Sequence, residues 1–83
     1  DPNSTIVRLR LAQEYVKQGL VSEAIEQAKV ALELDPKMKE AHMLLGGLYS
    51  ALRMYTDALL SYKKVIEVDP ENSEAPMFIG ALY

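Results

Sequence analysis

Three Asp-Pro pairs stand at Asp1-Pro2, Asp35-Pro36 and Asp69-Pro70, and both intervals between them are 34 residues. A fixed period of this length constrains the chain more than any single motif. Each copy must be one supersecondary unit that buries its apolar face against its neighbours. Sliding the chain by one period also superposes Leu11 on Leu45, Tyr15 on Tyr49 on Tyr83, Ala24 on Ala58, Lys29 on Lys63 and Glu33 on Glu67. Similar residues fill the spaces between: Leu34 with Val68, Leu32 with Ile66, Ile25 with Leu59, and Ala12 with Gly46 with Gly80.

Each period reads as two helices. Ile6, Leu9, Val16 and Leu20 fall on helical spacing, and Gly19 supplies the left-handed residue that ends a helix without steric penalty. A second helix is predicted over 22–34, with Ser22 and Glu23 at the positive end of its dipole and a small-residue stripe of Ala24, Ala28 and Ala31. Pro36 cannot extend that helix and biases Asp35 away from helical geometry. The next unit repeats the design near 38–52 and 56–68, and Arg53 takes the place of Gly19, which predicts a strained turn. A fifth helix is expected to start at the cap Asn72-Ser73 and to hold Pro76 in its first turn, where a missing amide costs little.

Counting residues removes several function classes. The chain has no cysteine, so disulfides, thiolate metal sites and cysteine nucleophiles are excluded together. His42 is the single histidine and cannot by itself make a common zinc site; with Met38, Met43 and Met54 around it in sequence, a core position is the commoner reading. No metal or other cofactor is expected. Nine Lys and Arg against twelve Asp and Glu leave a net charge of -3, which argues against nucleic acid. The charge is uneven: Arg8, Arg10 and Lys17 make the first segment basic, while Glu67, Asp69, Glu71 and Glu74 leave the last seventeen residues without a cation. No apolar run approaches the ~20 residues of a membrane span, so membrane insertion is not expected, and a cytoplasmic setting is. Catalysis finds no support either. Gly46-Gly47 lies inside a helix and follows no strand, and carboxylates such as Glu14 have no base or oxyanion partner at matching spacing, so the chain is not expected to be an enzyme.

The pattern Leu45-Gly46-x-x-Tyr49, followed by Ala58, Tyr62 and Pro70, resembles the tetratricopeptide repeat, a 34-residue helix-turn-helix unit. The resemblance covers nearly the whole chain: a first repeat at about 5–38, a second at 39–72, and the first helix of a third over 73–83. It departs from the family at Arg8, His42 and Pro76, where an aromatic is favoured, and at Ala28, where the second repeat has Tyr62. Pentatricopeptide repeats fit less well, since their period is 35 residues and their groove is usually basic. No alternating β-branched stretch supports a leucine-rich or ankyrin reading. The fold class is therefore all-α, a right-handed superhelical stack of antiparallel helix pairs with five helices.

The resemblance implies that the first helix of each pair lines a concave face. Its inward residues here are Ile6, Leu9, Arg10, Gln13, Val16 and Lys17, then Glu40, Met43, Leu44, Gly47, Ser50 and Ala51, then Glu74, Met77, Phe78 and Ala81. Members that clamp an acidic C-terminal carboxylate use Lys, Asn and Arg on these faces. The matching residues here are Leu9, Gln13, Leu44, Glu74 and Phe78, so that clamp is absent. An asparagine ladder, found in members attached to a sugar transferase, is replaced by Arg10, Leu44 and Phe78. What remains is an apolar groove for an amphipathic helix or extended hydrophobic segment of another protein, with Met as an adaptable contact. Leu9, Met43 and Leu44 stand equally as core residues, because apolar positions at helical spacing usually pack the protein's own interior. Leu11, Leu45, Tyr15, Tyr49, Ala24, Ala58 and Tyr62 are expected in the core, and Lys29-Glu33 and Lys63-Glu67 as exposed pairs on outer faces.

The chain also reads as two whole periods and the opening of a third, with an apolar last helix. Met77, Ile79, Leu82 and Tyr83 are expected to form a self-association surface. The alternative to a peptide-binding scaffold is thus a structural array whose repeats mediate only assembly.

Overall fold

The computed structural model describes residues 5–72 and 74–82. They form five helices and, among the described residues, no strand: α1 Thr5–Lys17, α2 Val21–Leu34, α3 Lys39–Ala51, α4 Tyr55–Val68 and α5 Glu74–Leu82. Consecutive helices are packing neighbours throughout, α1 with α2, α2 with α3, α3 with α4 and α4 with α5, which is the order a helical stack requires.

The turns explain where the helices stop. Gly19 adopts φ 78°, its amide bonds the Val16 carbonyl at 3.0 Å, and the Leu20 amide reaches back to Tyr15 at 2.9 Å. These bonds satisfy carbonyls that a helix end would otherwise leave bare. One period later Arg53 repeats the turn at φ 62°, with its amide on Ser50 at 3.0 Å and that of Met54 on Tyr49 at 2.8 Å. The strain expected at Arg53 is present, since its Cβ occupies a conformation that glycine adopts freely. The outer helices end alike: Asp35 and Asp69 leave helical geometry, and their amides bond Ala31 and Val65. Asn72 caps α5 as expected, its Oδ1 accepting from the amides of Glu74 at 2.9 Å and Ala75 at 2.8 Å. Ser73, the other half of the expected cap, lies outside the described residues.

Two junctions make up the core. Between the first and second repeats, Ala12, Ala24, Ile25, Ala28, Leu45 and Leu48 form one cluster, and Leu9, Ala31 and Ala41 another. Between the second and third, Ala58, Tyr62, Val65 and Ala75 form the cluster against which Met43, Ile79 and Leu82 pack. Small residues dominate because close helix approach needs them. Gly46 shows this most clearly: a Cβ there would sit 2.5 Å from the Tyr62 ring. Tyr62 in turn stacks on Phe78, with centroids 5.3 Å apart and planes at 20°.

Two expectations fail. Leu11 is 36% exposed although its counterpart Leu45 is 5% exposed. Leu45 is covered by α2, and among the described residues no helix packs on the corresponding side of α1. On the outer face of α4, Glu67 pairs with Lys64 at 3.2 Å instead of Lys63, a spacing of three that is as reachable on a helix as four.

Candidate interaction surface

The inner helices α1, α3 and α5 carry the residues expected to line a groove. On α1, Arg10, Gln13 and Lys17 are exposed, Val16 is 38% and Ile6 55% exposed. On α3, Glu40, Gly47 and Ala51 are exposed, and Met43, Leu44 and Ser50 are half-buried. On α5, Glu74 and Ala81 are exposed, Met77 is 64% and Phe78 37% exposed.

Leu9 is not part of this surface. It is 8% exposed and packs with Ala31 and Ala41, so it joins α1 to α2 and α3 instead of facing a ligand. The physical reason is its neighbour: Ala41 is small enough to let α3 close over it. Leu44 rests on the clusters on either side of it, and Met43 rests on the Tyr62 cluster. Both therefore commit part of their surface to packing. Ile79 and Leu82, expected on a self-association surface, are half-buried against the same cluster; their side of α5 is occupied by α4. Met77 remains on the open side, and Tyr83 lies outside the described residues.

Charges divide the surface. Arg10 and Lys17 are basic on α1, with Lys17 bridging to Glu14 at 3.3 Å. Glu40 and Glu74 are acidic at the starts of α3 and α5, where a helix dipole favours them. A cavity of about 550 Å³ opens at the Glu40 end, with Ile6, Met38, Lys39 and Asp69 among its lining residues. There Lys39 donates to Asp69 at 2.8 Å and ties the start of α3 to the end of α4. This hydrogen bond holds the Asp69 carboxyl below its ordinary range and raises the Lys39 ammonium above its own.

Tyr62 is the residue that sequence reasoning placed only in the core. Burial pushes its phenol up, and a hydrogen bond with Ser50 of α3 opposes the shift. Its hydroxyl also lies 3.9 Å from where a Gly47 Cβ would be. An outer-helix side chain thus reaches the inner helix through the Gly46-Gly47 gap. The adjacent glycines were the available signal, since two glycines inside a helix imply something bulky pressed against it. His42 bonds the Pro36 carbonyl at 3.0 Å, and Arg8 bonds Gln27 at 3.2 Å across α1 and α2. Both occupy positions where an aromatic was expected and serve local structure there. Among the described residues no group of three or more His, Asp or Glu could hold a metal ion, and no helix is long and apolar enough to cross a membrane.

Comparison with known proteins agrees with this architecture. The family model described as tetratricopeptide repeat matches residues 9–73. None of the curated proteins matches. Among solved structures, the first TPR of Spaghetti (RPAP3) bound to the HSP90 peptide SRMEEVD is similar, with a TM-score of 0.91 and 23% identity. The match covers 99% of this chain and 65% of that one, so the chain spans about two thirds of that neighbour's length. With two helical hairpins in a continuous stack and the family model matching across both, the chain belongs to the tetratricopeptide repeat family, whose members serve as protein-interaction scaffolds.

Proposed function

We propose that this chain binds a hydrophobic or amphipathic segment of another protein along the inner faces of α1, α3 and α5. The observation that carries the reading is apolar exposure on those faces. Met77 is 64% exposed and Phe78 37%, over a floor half-formed by Met43 and Leu44. Water-facing methionine and aromatic surface on a rigid scaffold is suited to helix or peptide capture, since Met adapts its shape and the aromatic supplies area at low entropic cost. The ligand proposed has Leu, Ile or aromatic anchors, an acidic end near Arg10 and Lys17, and a basic end near Glu40 and Glu74. A cytoplasmic setting and a non-catalytic role belong to the same proposal.

The similar solved structure holds the acidic peptide SRMEEVD. For this chain we expect weaker binding of such a peptide, because Leu9, Gln13, Leu44, Glu74 and Phe78 stand where a carboxylate clamp uses Lys, Asn and Arg, and Glu74 repels. Calorimetric titration of two peptide sets tests this: amphipathic peptides with one acidic and one basic end, and acidic C-terminal peptides. Met77→Glu is expected to weaken the first set by about tenfold, near 1.4 kcal/mol, with unchanged helicity. Tighter binding of the acidic set, or indifference to Met77→Glu, overturns the reading.

A further inference from the structure

Groove residues of successive repeats stand at the same spacing and differ in what lies behind them. Glu40 and Leu44 lie four residues apart on α3, and Glu74 and Phe78 hold the same two places on α5. That spacing brings both side chains to one side of the helix, with Cβ atoms about 5–6 Å apart. Leu44 packs on a cluster in which Ala28 is the outer-helix residue. Phe78 instead stacks on Tyr62, the counterpart of Ala28, with centroids 5.3 Å apart and planes at 20°. One ring face of Phe78 is thus held by Tyr62, and the side chain is still 37% exposed. The accessibility of these two places does not come from α5 being the last described helix: on α3, which has helices before and after it, Glu40 is exposed and Leu44 half-buried.

Charge says what fits there. Glu74 is exposed and, among the described residues, forms no ion pair. Lys39, whose ammonium is raised first by its hydrogen bond to Asp69 and only last by the Glu74 charge, is committed to Asp69 at 2.8 Å. An aromatic face draws a cation to within about 6 Å of its centroid, and a planar guanidinium stacks on that face while its N–H fork reaches a carboxylate. An ammonium is a more strongly hydrated point charge and serves one of the two partners at a time. An apolar anchor fits the ring but strips water from the carboxylate and gives it no partner.

We propose that Glu74 and Phe78 form an arginine subsite, in which an arginine of the bound protein segment lays its guanidinium on the Phe78 face turned away from Tyr62 and donates to the Glu74 carboxylate. Tyr62 is the positioning residue, since its ring fixes the plane on which the guanidinium stacks. The proposal rests on the peptide reading and deepens it, because it names the residue at the basic end of the ligand. One period earlier, Glu40 and Leu44 offer the carboxylate without the ring, so that place takes lysine and arginine alike.

Calorimetric titration of the 83-residue chain with three amphipathic peptides tests it, the peptides being identical except for arginine, lysine or citrulline at the basic position. Arginine is expected to bind about threefold to fivefold more tightly than lysine and about tenfold more tightly than citrulline. Phe78→Leu, which puts there the residue type of position 44, is expected to bring arginine down to the level of lysine, and Glu74→Gln to weaken both about threefold. The ratio of arginine to lysine is the decisive readout, since a structural defect weakens all three peptides alike. N-acetyl-arginine amide, titrated alone and followed by nuclear magnetic resonance, separates the subsite from the rest of the groove: saturable shifts are expected at Glu74 and Phe78, and smaller ones with N-acetyl-lysine amide. Equal binding of the three peptides overturns the subsite and leaves the peptide reading standing. An arginine preference that survives Phe78→Leu overturns it as well. If no peptide binds, the peptide reading falls and the amide decides: shifts confined to Glu74 and Phe78 sustain the subsite, and their absence overturns it.

Discussion

Residues 12 and 46 hold the same place in successive repeats, yet the space beside them is filled by opposite means. In the first repeat Ala12 meets Ala28, and both are fully buried. In the second, Gly46 has given up its side chain entirely and Tyr62, the counterpart of Ala28, lies against the bare backbone. The repeat thus conserves the filled volume between its two helices and leaves its division between them free, as expected where interiors are close-packed. Gly80 is the third member of the series and has nothing against it. The same residue type is therefore indispensable at one position and replaceable at another, and only the facing helix makes the difference.

The largest expected effect breaks that comparison directly. Gly46→Ala sets a methyl 2.5 Å from the Tyr62 ring and is expected to destabilise the fold by about 1–3 kcal/mol through overpacking. Gly80→Ala meets open space and is expected to stabilise α5 by roughly 0.5–1 kcal/mol through helix propensity. Urea denaturation of the two variants side by side measures the contrast; equal effects would show that Tyr62 moves aside without cost.

A second contrast concerns the turns. Gly19 and Arg53 occupy equivalent positions at φ 78° and 62°. Gly19→Ala is expected to cost about 1 kcal/mol, and Arg53→Gly to be neutral or stabilising by up to about 1 kcal/mol, because a Cβ is strained there. Opposite signs in thermal melts sharpen the comparison, and matching signs break it.

The smallest effect concerns the outer-helix ends. Asp69 is bonded to Lys39, whereas the carboxylate of its counterpart Asp35 accepts the Lys37 amide at 3.2 Å within its own loop, because Thr5 stands where Lys39 would be needed. The Asp69 carboxyl is lowered by the lysine hydrogen bond, so its contribution is present above the ordinary carboxyl pKa of about 4 and is lost as pH falls through the lower folded value. The Lys39 ammonium is raised, so its contribution is present below the ordinary lysine pKa of about 10.4 and is lost as pH rises through the higher folded value. The stability gap between wild type and Asp69→Asn should hold through neutral pH and close at both extremes. Melting temperatures across the pH range read both.

How much of this was legible in the sequence depends on the range of the interaction that decides it. The period, the helix pairs, the cap at Asn72 and the strained turn at Arg53 are local, governed by spacing of a few residues and by backbone sterics. The exposure of the surface residues was less legible. Leu9 and Met43 stand one period apart and look interchangeable in sequence, but Leu9 is buried and Met43 is half-buried. Leu11 and Leu45 are identical residues in identical phase and differ from 36% to 5% exposure. A repeating sequence assigns them the same environment, and their neighbours do not.

The sequence by itself thus determined the repeat, the all-α class and the hairpin as its unit, because a 34-residue period with Gly and Pro at its breaks leaves the backbone few alternatives. The tertiary structure alone decided which faces meet other helices and which stay open. Burial belongs to pairs of helices, so the passage of Tyr62 through the Gly46-Gly47 gap, the closing of Ala41 over Leu9 and the open space at Gly80 emerge only when each helix has its neighbour beside it.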